Sequence, residues 1–275
     1  MSGILSFATD GAFHVTDEDR VRTATSSKGN QIKWRRSDGI WAKADDMGYE
    51  GFAEQTASRL LAKSNFDGYA QYAACRIMEG ETVYQGCISA DFLSAGEVLL
   101  SVARLFDMDT LEFGGDMKPM TASGRLKYLI ENTERITGMD GFGAWLGMLL
   151  EFDAFILNED RHLHNIAVVR KPDGTYKPMP VFDNGAAFMS DTRRDYPVGI
   201  PIETGIRKVK SKPIATDFEK QLTAVGDVVG LSLKLSINPG IVQASSQMYP
   251  EQIVERVQSI MSYQIRRYPH MLTAL

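Results

Sequence analysis

The chain has 275 residues, of which 44% are hydrophobic and 24% charged, and its formal net charge at pH 7 is −5. A chain of this length and apolar content can bury a large core, which excludes disordered, collagen-like and low-complexity proteins. The excess of acidic residues gives no broad cationic field, so extensive nucleic-acid binding is not expected. Two cysteines are too few for a disulfide framework or a structural zinc site.

The hydropathy pattern predicts a protein that does not enter a membrane. No run approaches the roughly 18 apolar residues that cross a bilayer, and residues 1–10 lack the pattern of a signal peptide. Cys75 and Cys87 are expected as small buried side chains in a reducing compartment. We therefore expect a cytoplasmic protein, while secretion or delivery to a host by a route that the sequence does not show stays open.

The sequence pattern of the first 90 residues predicts strands packed around a single helix. A turn at Ser37-Asp38-Gly39 separates two short strand-like segments and predicts a hairpin. With the hairpin centred on the two residues Asp38-Gly39, Lys43 pairs with Trp34. The other predicted elements of this part are one helix and the two strands of a second hairpin, at residues 51–62, 72–78 and 82–92.

After residue 92 the apolar residues follow helical spacing. This spacing predicts three helices, around residues 98–106, 145–157 and 250–268. The sequence thus predicts an α+β fold in which a small β-rich lobe, residues 1–90, precedes a larger helical lobe, residues 91–275.

The second of these helices is followed directly by a polar segment, Asn158-Glu159-Asp160-Arg161-His162-Leu163-His164-Asn165. A solvated loop between a helix and a strand would also be polar, so the segment alone is a weak signal. A turn predicted at Lys171-Pro172-Asp173-Gly174-Thr175 closes a hairpin that places Asn165 opposite Phe182, beside Asp183. The carboxamide and the carboxylate are hard oxygen ligands that suit Mg²⁺.

The spacing Asp160-x4-Asn165, followed by Asp183 and Gly185, is typical of the catalytic loop and metal-binding loop of a kinase. In such sites the first carboxylate orients the acceptor hydroxyl, and the Asn and the second Asp hold metal on the phosphates. The spacing therefore predicts a catalytic role for Asp160 and a metal-binding role for Asn165 and Asp183.

A kinase also needs a lysine that reaches the phosphates and a glutamate, on the next helix, that steadies it. Lys43 on its predicted strand and Glu54 on the following helix occur in the required order. Lys43 could instead extend along the neighbouring tryptophans towards solvent, and Glu54 could be an ordinary surface residue.

Small and hydroxylic residues precede the first hairpin, including Ser26, Ser27, Lys28, Gly29 and Asn30. They match neither the Walker A pattern nor Gly-x-Gly-x-x-Gly. Their backbone N–H groups could point at phosphates. A flexible polar loop explains the same composition equally well.

These residues resemble the HipA-like serine/threonine kinases, and more closely a compact bacterial branch of that family. The resemblance is carried by residues 158–165 and 182–185, together with residues 39–45 and 48–54, and runs with gaps from about residue 26 to 185. It implies a two-lobed, protein-kinase-like fold with ATP in the cleft. It also implies that Asp160 is the catalytic residue and that Asn165 and Asp183 are the metal ligands. Lys43 would then contact the phosphates, with Glu54 as its partner.

The resemblance further implies that residues 26–30 form a phosphate-covering loop, and that the strand end with Ser89 and Asp91 is a hinge that meets adenine. One departure is that Arg161 follows the catalytic aspartate, whereas eukaryotic-type kinases place His-Arg before it. Asp153, a charged residue in an apolar helix, is expected to form an interior hydrogen bond.

We therefore predict ATP- and Mg²⁺-dependent phosphoryl transfer to Ser or Thr of an unidentified protein. Autophosphorylation is a further expectation, in the hydroxyl-rich segments 23–27 and 190–211. Four other functions stay open beside it. The chain could be a non-catalytic ATP-binding switch that engages a protein partner, a structural interaction protein that binds no nucleotide, a lipid or small-molecule kinase, or a nucleotidyl transferase that uses the same cleft.

Overall fold

The computed structural model describes residues 11–22, 31–109, 120–237, 241–242 and 248–273. Its strands in chain order are β1 (Ala12–Val15), β2 (Lys33–Arg35), β3 (Ile40–Ala44), β4 (Tyr72–Glu79), β5 (Thr82–Ala90), β6 (Val98–Ser101), β7 (Ala167–Arg170) and β8 (Tyr176–Pro178). Its α-helices are α1 (Glu50–Leu61), α2 (Val102–Met108), α3 (Ala122–Thr137), α4 (Phe142–Ile156), α5 (Ile202–Ile206), α6 (Phe218–Val228) and α7 (Glu251–Arg267).

Five of the strands form one sheet, in the order β1-β4-β5-β3-β2, and α1 packs against it. Strand β1 runs parallel to β4, and the other neighbours are antiparallel. Helix α1 approaches the sheet closely at Gly51, where an added Cβ would lie 2.5 Å from the carbonyl carbon of Gly86. The absence of a side chain at Gly51 lets the helix backbone lie on the strand backbone, which sets the position of Glu54 one turn further along.

The hairpin of β2 and β3 forms as predicted, but its register differs by one residue. Lys43 pairs with Lys33, and Trp34 pairs with Ala42. The cause is a three-residue turn in which Gly39 adopts a left-handed conformation with φ 81°, where a two-residue turn was expected. The shift turns Trp34 into the core, where it is fully buried, and brings Lys33 to the face of the sheet that carries Lys43.

The hairpin of β7 and β8 shows the same one-residue shift. The backbone N–H of Lys171 donates to the carbonyl of Thr175 at 2.8 Å, so the turn again contains three residues, the last being Gly174 with φ 86°. The paired ladder ends at Val168 and Pro178, so Asn165 does not pair with Phe182 as expected. The loops on either side nevertheless bring Asn165 and Asp183 to one cavity.

The predicted helix around residues 98–106 is wrong in its first half. Val98–Ser101 form strand β6, which pairs antiparallel with β7, and helix α2 begins only at Val102. The helical spacing of the apolar residues hid this strand because four residues are too few to show alternation. Ser101 caps the helix, since its side chain accepts a hydrogen bond from the backbone N–H of Arg104.

The remaining elements are helical, and the predicted helices over 145–157 and 250–268 are confirmed as α4 and α7. Helix α4 is buried almost along its whole length in the large hydrophobic core. Helix α7 and the segment before it also contact α1: the ring of Tyr249 stacks on Phe52 at 5.1 Å, and the Arg256 side chain donates to the Tyr49 hydroxyl at 3.2 Å. The end of the chain thereby holds the helix that carries Glu54.

The predicted α+β class is confirmed, with a sheet-rich first part and a mainly helical remainder. Cys75 and Cys87 are buried free thiols, as expected. Among the described helices, none combines the length and the apolar character needed to cross a membrane.

Candidate active site

The polar segment 158–165 forms the loop between α4 and β7, and its first residue is tied back to the helix. Helix α4 ends at Leu157, which adopts a left-handed conformation. The side-chain amide nitrogen of Asn158 donates to Asp153 Oδ1 at 3.0 Å, and Asn158 Oδ1 accepts from the backbone N–H of Asp160 at 3.2 Å. The interior hydrogen-bonding role predicted for Asp153 is confirmed, and these bonds fix the backbone at Asp160.

The buried side chain of Arg161 connects this loop to the segment around Asp183. Its guanidinium is fully buried and pairs with Asp153 at 2.9 Å. It also donates to the backbone carbonyls of Asn165 and Phe182, at 3.2 and 2.8 Å, and to Asn184 Oδ1 at 2.6 Å. One buried cation thus holds both loops in a fixed relation. The sequence shows that Arg161 follows the aspartate, but no local pattern reveals this role.

Asp160, Asn165 and Asp183 line one cavity of about 360 Å³. The side-chain amide nitrogen of Asn165 donates to the backbone carbonyl of Asp160 at 3.0 Å, which orients the amide and leaves its oxygen as the ligand atom. Asp183 adopts a left-handed backbone conformation with φ 59°, which is uncommon for a residue other than glycine. The structure therefore brings the three residues together as predicted from their spacing.

Lys43 connects the sheet, α1 and the Asp183 loop. Its Nζ lies 2.9 Å from Glu54 Oε1 and 2.8 Å from Asp183 Oδ1. The second oxygen of Glu54 accepts from the backbone N–H of Asn184 at 2.8 Å. Glu54 is therefore buried and paired, and is not a surface residue. Lys43 likewise points into the cleft rather than along the tryptophans to solvent.

The charges of Lys43 and Asp183 stabilise each other, whereas burial and the nearby Asp183 raise the pKa of Glu54 against the effect of Lys43. Burial alone would lower the pKa of Lys43, but the carboxylates of Asp183 and Glu54 outweigh it and hold that pKa well above its ordinary value. Burial would likewise raise the pKa of Asp183, but Lys43, assisted by Lys33 and Arg161, holds it below its ordinary value. Lys43 is thus positively charged and Asp183 negatively charged at neutral pH.

Lys33 is a cleft residue that sequence reasoning missed. It lines the same cavity as Asp160 and Asp183, and its charge contributes to the low pKa of Asp183. The one-residue error in register placed Trp34 opposite Lys43 and so directed Lys33 away from the cleft. Counting the turn as three residues, on the evidence of its glycine, would have found it.

Two basic side chains flank the carboxylate of Asp160. Lys212 Nζ lies 3.1 Å from Oδ1, and His162 Nε2 lies 3.8 Å from Oδ2. Burial lowers the pKa of His162, and the neighbouring Lys212 and His164 lower it further against the effect of Asp160. The imidazole is therefore neutral at pH 7, and Lys212 supplies the cation at this carboxylate.

The segment that follows Asp183 also lines the cavity. Its lining residues include Ser190, Asp191 and Arg194. The backbone of this segment is held against the loop before α1, because the N–H groups of Thr192 and Arg193 both donate to the carbonyl of Met47 at 3.0 Å. These bonds fix the segment beside the cavity that Asp160 also lines.

Of the remaining predicted site residues, Ser89 and Asp91 are described by the structure and do not line this cavity. Ser26, Ser27, Lys28, Gly29 and Asn30 lie outside the described residues. Ser89 is buried in β5, where it pairs with Trp41 and with Tyr72. Asp91, just after that strand, accepts from Arg35 and from the backbone N–H of Leu93. The adenine-contacting role of Ser89 and Asp91 stays a prediction.

The oxygen atoms of Asn165 and Asp183 fit a magnesium ion that binds together with phosphates. Across the part of the chain that the structure describes, no group of three or more His, Cys, Asp or Glu side chains is arranged to hold a metal. Mg²⁺ needs no such cage, because it keeps several waters and takes one or two carboxylates together with phosphate oxygens. One carboxylate and one amide oxygen on a shared cavity satisfy that requirement.

Fold and cleft together define a kinase-like structure. No protein-family model and no curated protein sequence matches the chain. Among solved structures, the chain is similar to the Helicobacter pylori proinflammatory kinase CtkA, with 15% sequence identity and a TM-score of 0.59 over 93% of this chain and 94% of that one. The predicted kinase-like fold is therefore confirmed, and with it the HipA-like resemblance at the level of the fold.

A second similar structure is HipA from Shewanella oneidensis MR-1, solved with HipB and operator DNA. The identity is 14% and the TM-score 0.46, over 90% of this chain and 65% of that chain.

Proposed function

We propose that this protein is an ATP- and Mg²⁺-dependent kinase that phosphorylates Ser or Thr of a protein. One observation carries the proposal: Lys43 links Glu54 on α1 to Asp183 across the cleft, at 2.9 and 2.8 Å. A lysine–glutamate pair of this kind, beside a metal-binding aspartate, is what kinases use to hold the phosphates of ATP. The similarity to CtkA, which is a kinase by name, supports the same class.

Each residue has a defined task in this proposal. The Lys43 ammonium binds the α- and β-phosphates, and Glu54 keeps it in place. Asn165 and Asp183 would hold Mg²⁺, which when bound neutralises charge on the phosphates. Asp160 faces the cavity, accepts a hydrogen bond from the acceptor hydroxyl and orients its oxygen towards the γ-phosphorus.

In this proposal the two parts of the chain have different roles. Residues 1–90 are the lobe that covers ATP, with residues 26–30 over the phosphates and Ser89 and Asp91 at the adenine. Residues 91–275 are the lobe that carries the catalytic and metal-binding loops. The acceptor protein would bind beside residues 190–194, because this segment lines the same cavity as Asp160.

The direct test is incubation of the purified protein with γ-labelled ATP and Mg²⁺, followed by mass mapping of the protein and of added protein acceptors. We expect acid-stable phosphate on Ser or Thr. Autophosphorylation is expected in residues 23–27 or in residues 190–211. In the second segment it is expected at Thr192 or Thr204 rather than at Ser190 or Ser211, because both serines are almost fully buried. Label in a lipid or small molecule, or transfer of the adenylyl group instead, would redirect the proposal to another acceptor or another reaction.

A thermal-shift measurement separates an active kinase from a non-catalytic switch and from a protein that binds no nucleotide. ATP with Mg²⁺ should raise the melting temperature, because a ligand that binds only the folded state stabilises it. A shift without any transfer would favour the non-catalytic switch. The absence of both would contradict nucleotide binding altogether.

A further inference from the structure

The contact between Lys212 and Asp160 is not explained by the tasks assigned above. Lys212 lies 52 residues after Asp160 in the chain, yet its Nζ is 3.1 Å from Asp160 Oδ1. The side chain of Lys212 is 43% exposed, whereas that of Asp160 is 9% exposed. The ammonium of a half-exposed lysine therefore contacts a nearly buried carboxylate that lines the cavity.

The backbone that carries Lys212 is held on both sides. Ser211 and Ile214 are each about 1% exposed. The hydroxyl of Ser211 donates to the carbonyl of Ala215 at 2.8 Å, and the carbonyl of Ile214 accepts from the guanidinium of Arg125 on α3 at 3.1 Å. The Cα of Lys212 is thus fixed by the core, while its flexible stem leaves the ammonium free to change partner.

This arrangement places a cation at a different part of the site from Lys43. Lys43 is paired with Glu54 and Asp183, where the inner phosphates of ATP are proposed to lie. Lys212 lies beside the carboxylate proposed to orient the attacking hydroxyl, which is where the transferring group must pass. Because the side chain of Lys212 is 43% exposed, the contribution of this ion pair to stability is expected to be small.

We propose that Lys212 is a catalytic residue that binds the transferring phosphoryl group; this inference rests on the proposed kinase function. The bond between the γ-phosphorus and the bridging oxygen of ATP breaks, and its electron pair stays on ADP. The acceptor oxygen forms the new bond to phosphorus, and its proton passes to Asp160. Lys212 remains protonated and moves from Asp160 Oδ1 to the peripheral phosphoryl oxygens, where charge is spread in the transition state.

The test compares Lys212→Met and Lys212→Arg with Lys210→Met, an exposed lysine in the same segment. For Lys212→Met we expect kcat to fall by about 100-fold, the loss typical of one electrostatic contact to the transition state. The ATP Kd should change by less than about twofold, because the contact forms late in the reaction. Lys212→Arg should keep an intermediate rate, and Lys210→Met should match the wild type.

A second readout separates catalysis from structure. Binding of ADP with Mg²⁺ and aluminium fluoride, which imitates the transferring group, should weaken in Lys212→Met while binding of ADP with Mg²⁺ alone stays unchanged. Equal weakening of both would mean a structural role. A wild-type or faster rate in Lys212→Met would also overturn the inference, the faster rate indicating that the ion pair blocks Asp160. A wild-type protein that transfers nothing overturns the proposed function and this inference together.

Discussion

The carboxylate of Glu54 accepts a hydrogen bond from the backbone N–H of Asn184 at 2.8 Å, although 130 residues separate them. Its other oxygen binds Lys43 at 2.9 Å. One side chain on α1 therefore positions both the lysine proposed to bind phosphates and the loop that carries Asp183, the proposed metal ligand. A displacement of α1 would disturb both, so the contacts that hold this helix bear directly on activity.

Replacement of Lys43 tests the phosphate contact. Lys43→Ala should weaken ATP binding by about 10- to 100-fold, the loss expected for a charge-assisted hydrogen bond, and should abolish transfer. Lys43→Arg should restore only part of the binding, because a planar guanidinium does not replace a compact ammonium. Titration calorimetry measures the first effect and labelled ATP the second.

Lys63→Ala is the matched control for this prediction, since Lys63 lies just after the same helix α1 and is exposed. It should leave ATP binding and transfer unchanged. If Lys43→Ala transfers phosphate at the wild-type rate, the assignment of Lys43 is wrong.

Replacement of Asp160 and replacement of Asp183 should have different effects on ATP binding and on transfer. Asp183→Asn removes a negative ligand from a hard cation, so ATP affinity should lose its dependence on Mg²⁺ and transfer should fall with it. Asp160→Ala should keep most Mg²⁺-dependent binding while the transfer rate falls by about 10²- to 10⁴-fold, the usual contribution of a positioned base. Calorimetry with and without Mg²⁺, beside a transfer assay, measures both.

The exposed residue Asp67 provides a control for these charge changes, and Asp67→Asn should behave as the wild type. The opposite pattern, in which Asp160→Ala loses Mg²⁺-dependent binding and Asp183→Asn keeps it, would reverse the two assignments. Normal transfer by both variants would contradict the kinase proposal itself.

The parts of the site that sequence reasoning predicted are those encoded locally. Asp160 and Asn165 belong to one short loop, and Asp183 follows a nearby hairpin, so their juxtaposition needs only a turn prediction. The register of such a hairpin depends on whether its turn has two or three residues. Asp38-Gly39 is compatible with both, and the prediction chose the wrong one.

Contacts between distant segments left no local pattern. Tyr249 is 204 residues from Asp45, which it contacts, and Lys212 is 52 residues from Asp160. Nothing in the composition around Lys212 distinguishes it from the neighbouring lysines in residues 208–212. Only the packing of buried Ser211 and Ile214 selects which lysine faces the carboxylate.

Arg161 and Asp153 form a buried ion pair, so removal of one partner alone should strongly lower the free energy of unfolding. Arg161→Met leaves Asp153 as an uncompensated buried charge, so the free energy of unfolding should fall by about 3–5 kcal/mol. The double variant Asp153→Leu/Arg161→Met should lose less than the sum of the single losses, because no charge remains unpaired. Urea unfolding of the four proteins measures this coupling.

An exposed ion pair serves for comparison. Arg22 binds Asp17 at 2.8 Å, with side chains that are 76% and 69% exposed. Arg22→Ala should therefore change the free energy of unfolding by no more than about 1 kcal/mol. A cost of that size for Arg161→Met as well would mean that Arg161 does not hold the two loops together.

Asp45 should make stability depend on pH in a way that its neighbour Asp46 does not. Its carboxylate accepts from the Tyr249 hydroxyl at 2.8 Å and from the backbone N–H of Gly51 at 2.6 Å. Burial, together with the nearby charge of Glu50, raises the pKa of Asp45 from 3.8 to about 7. The folded protein therefore binds a proton here between about pH 4 and 7 that the unfolded chain has released.

It follows that this group stabilises the fold most at the acidic end of that window, and that its contribution is lost as the pH rises through 7. Urea midpoints of wild type, Asp45→Asn and the control Asp46→Asn should be measured at half-unit steps from pH 4.5 to 8. Relative to Asp45→Asn, the wild type and Asp46→Asn should both lose stability across this range, so the difference in urea midpoint shifts in favour of Asp45→Asn as the pH rises. Parallel curves for the wild type and Asp45→Asn would mean that Asp45 is already ionised at pH 5. Its contact with Tyr249 would then anchor α1 through a charged hydrogen bond.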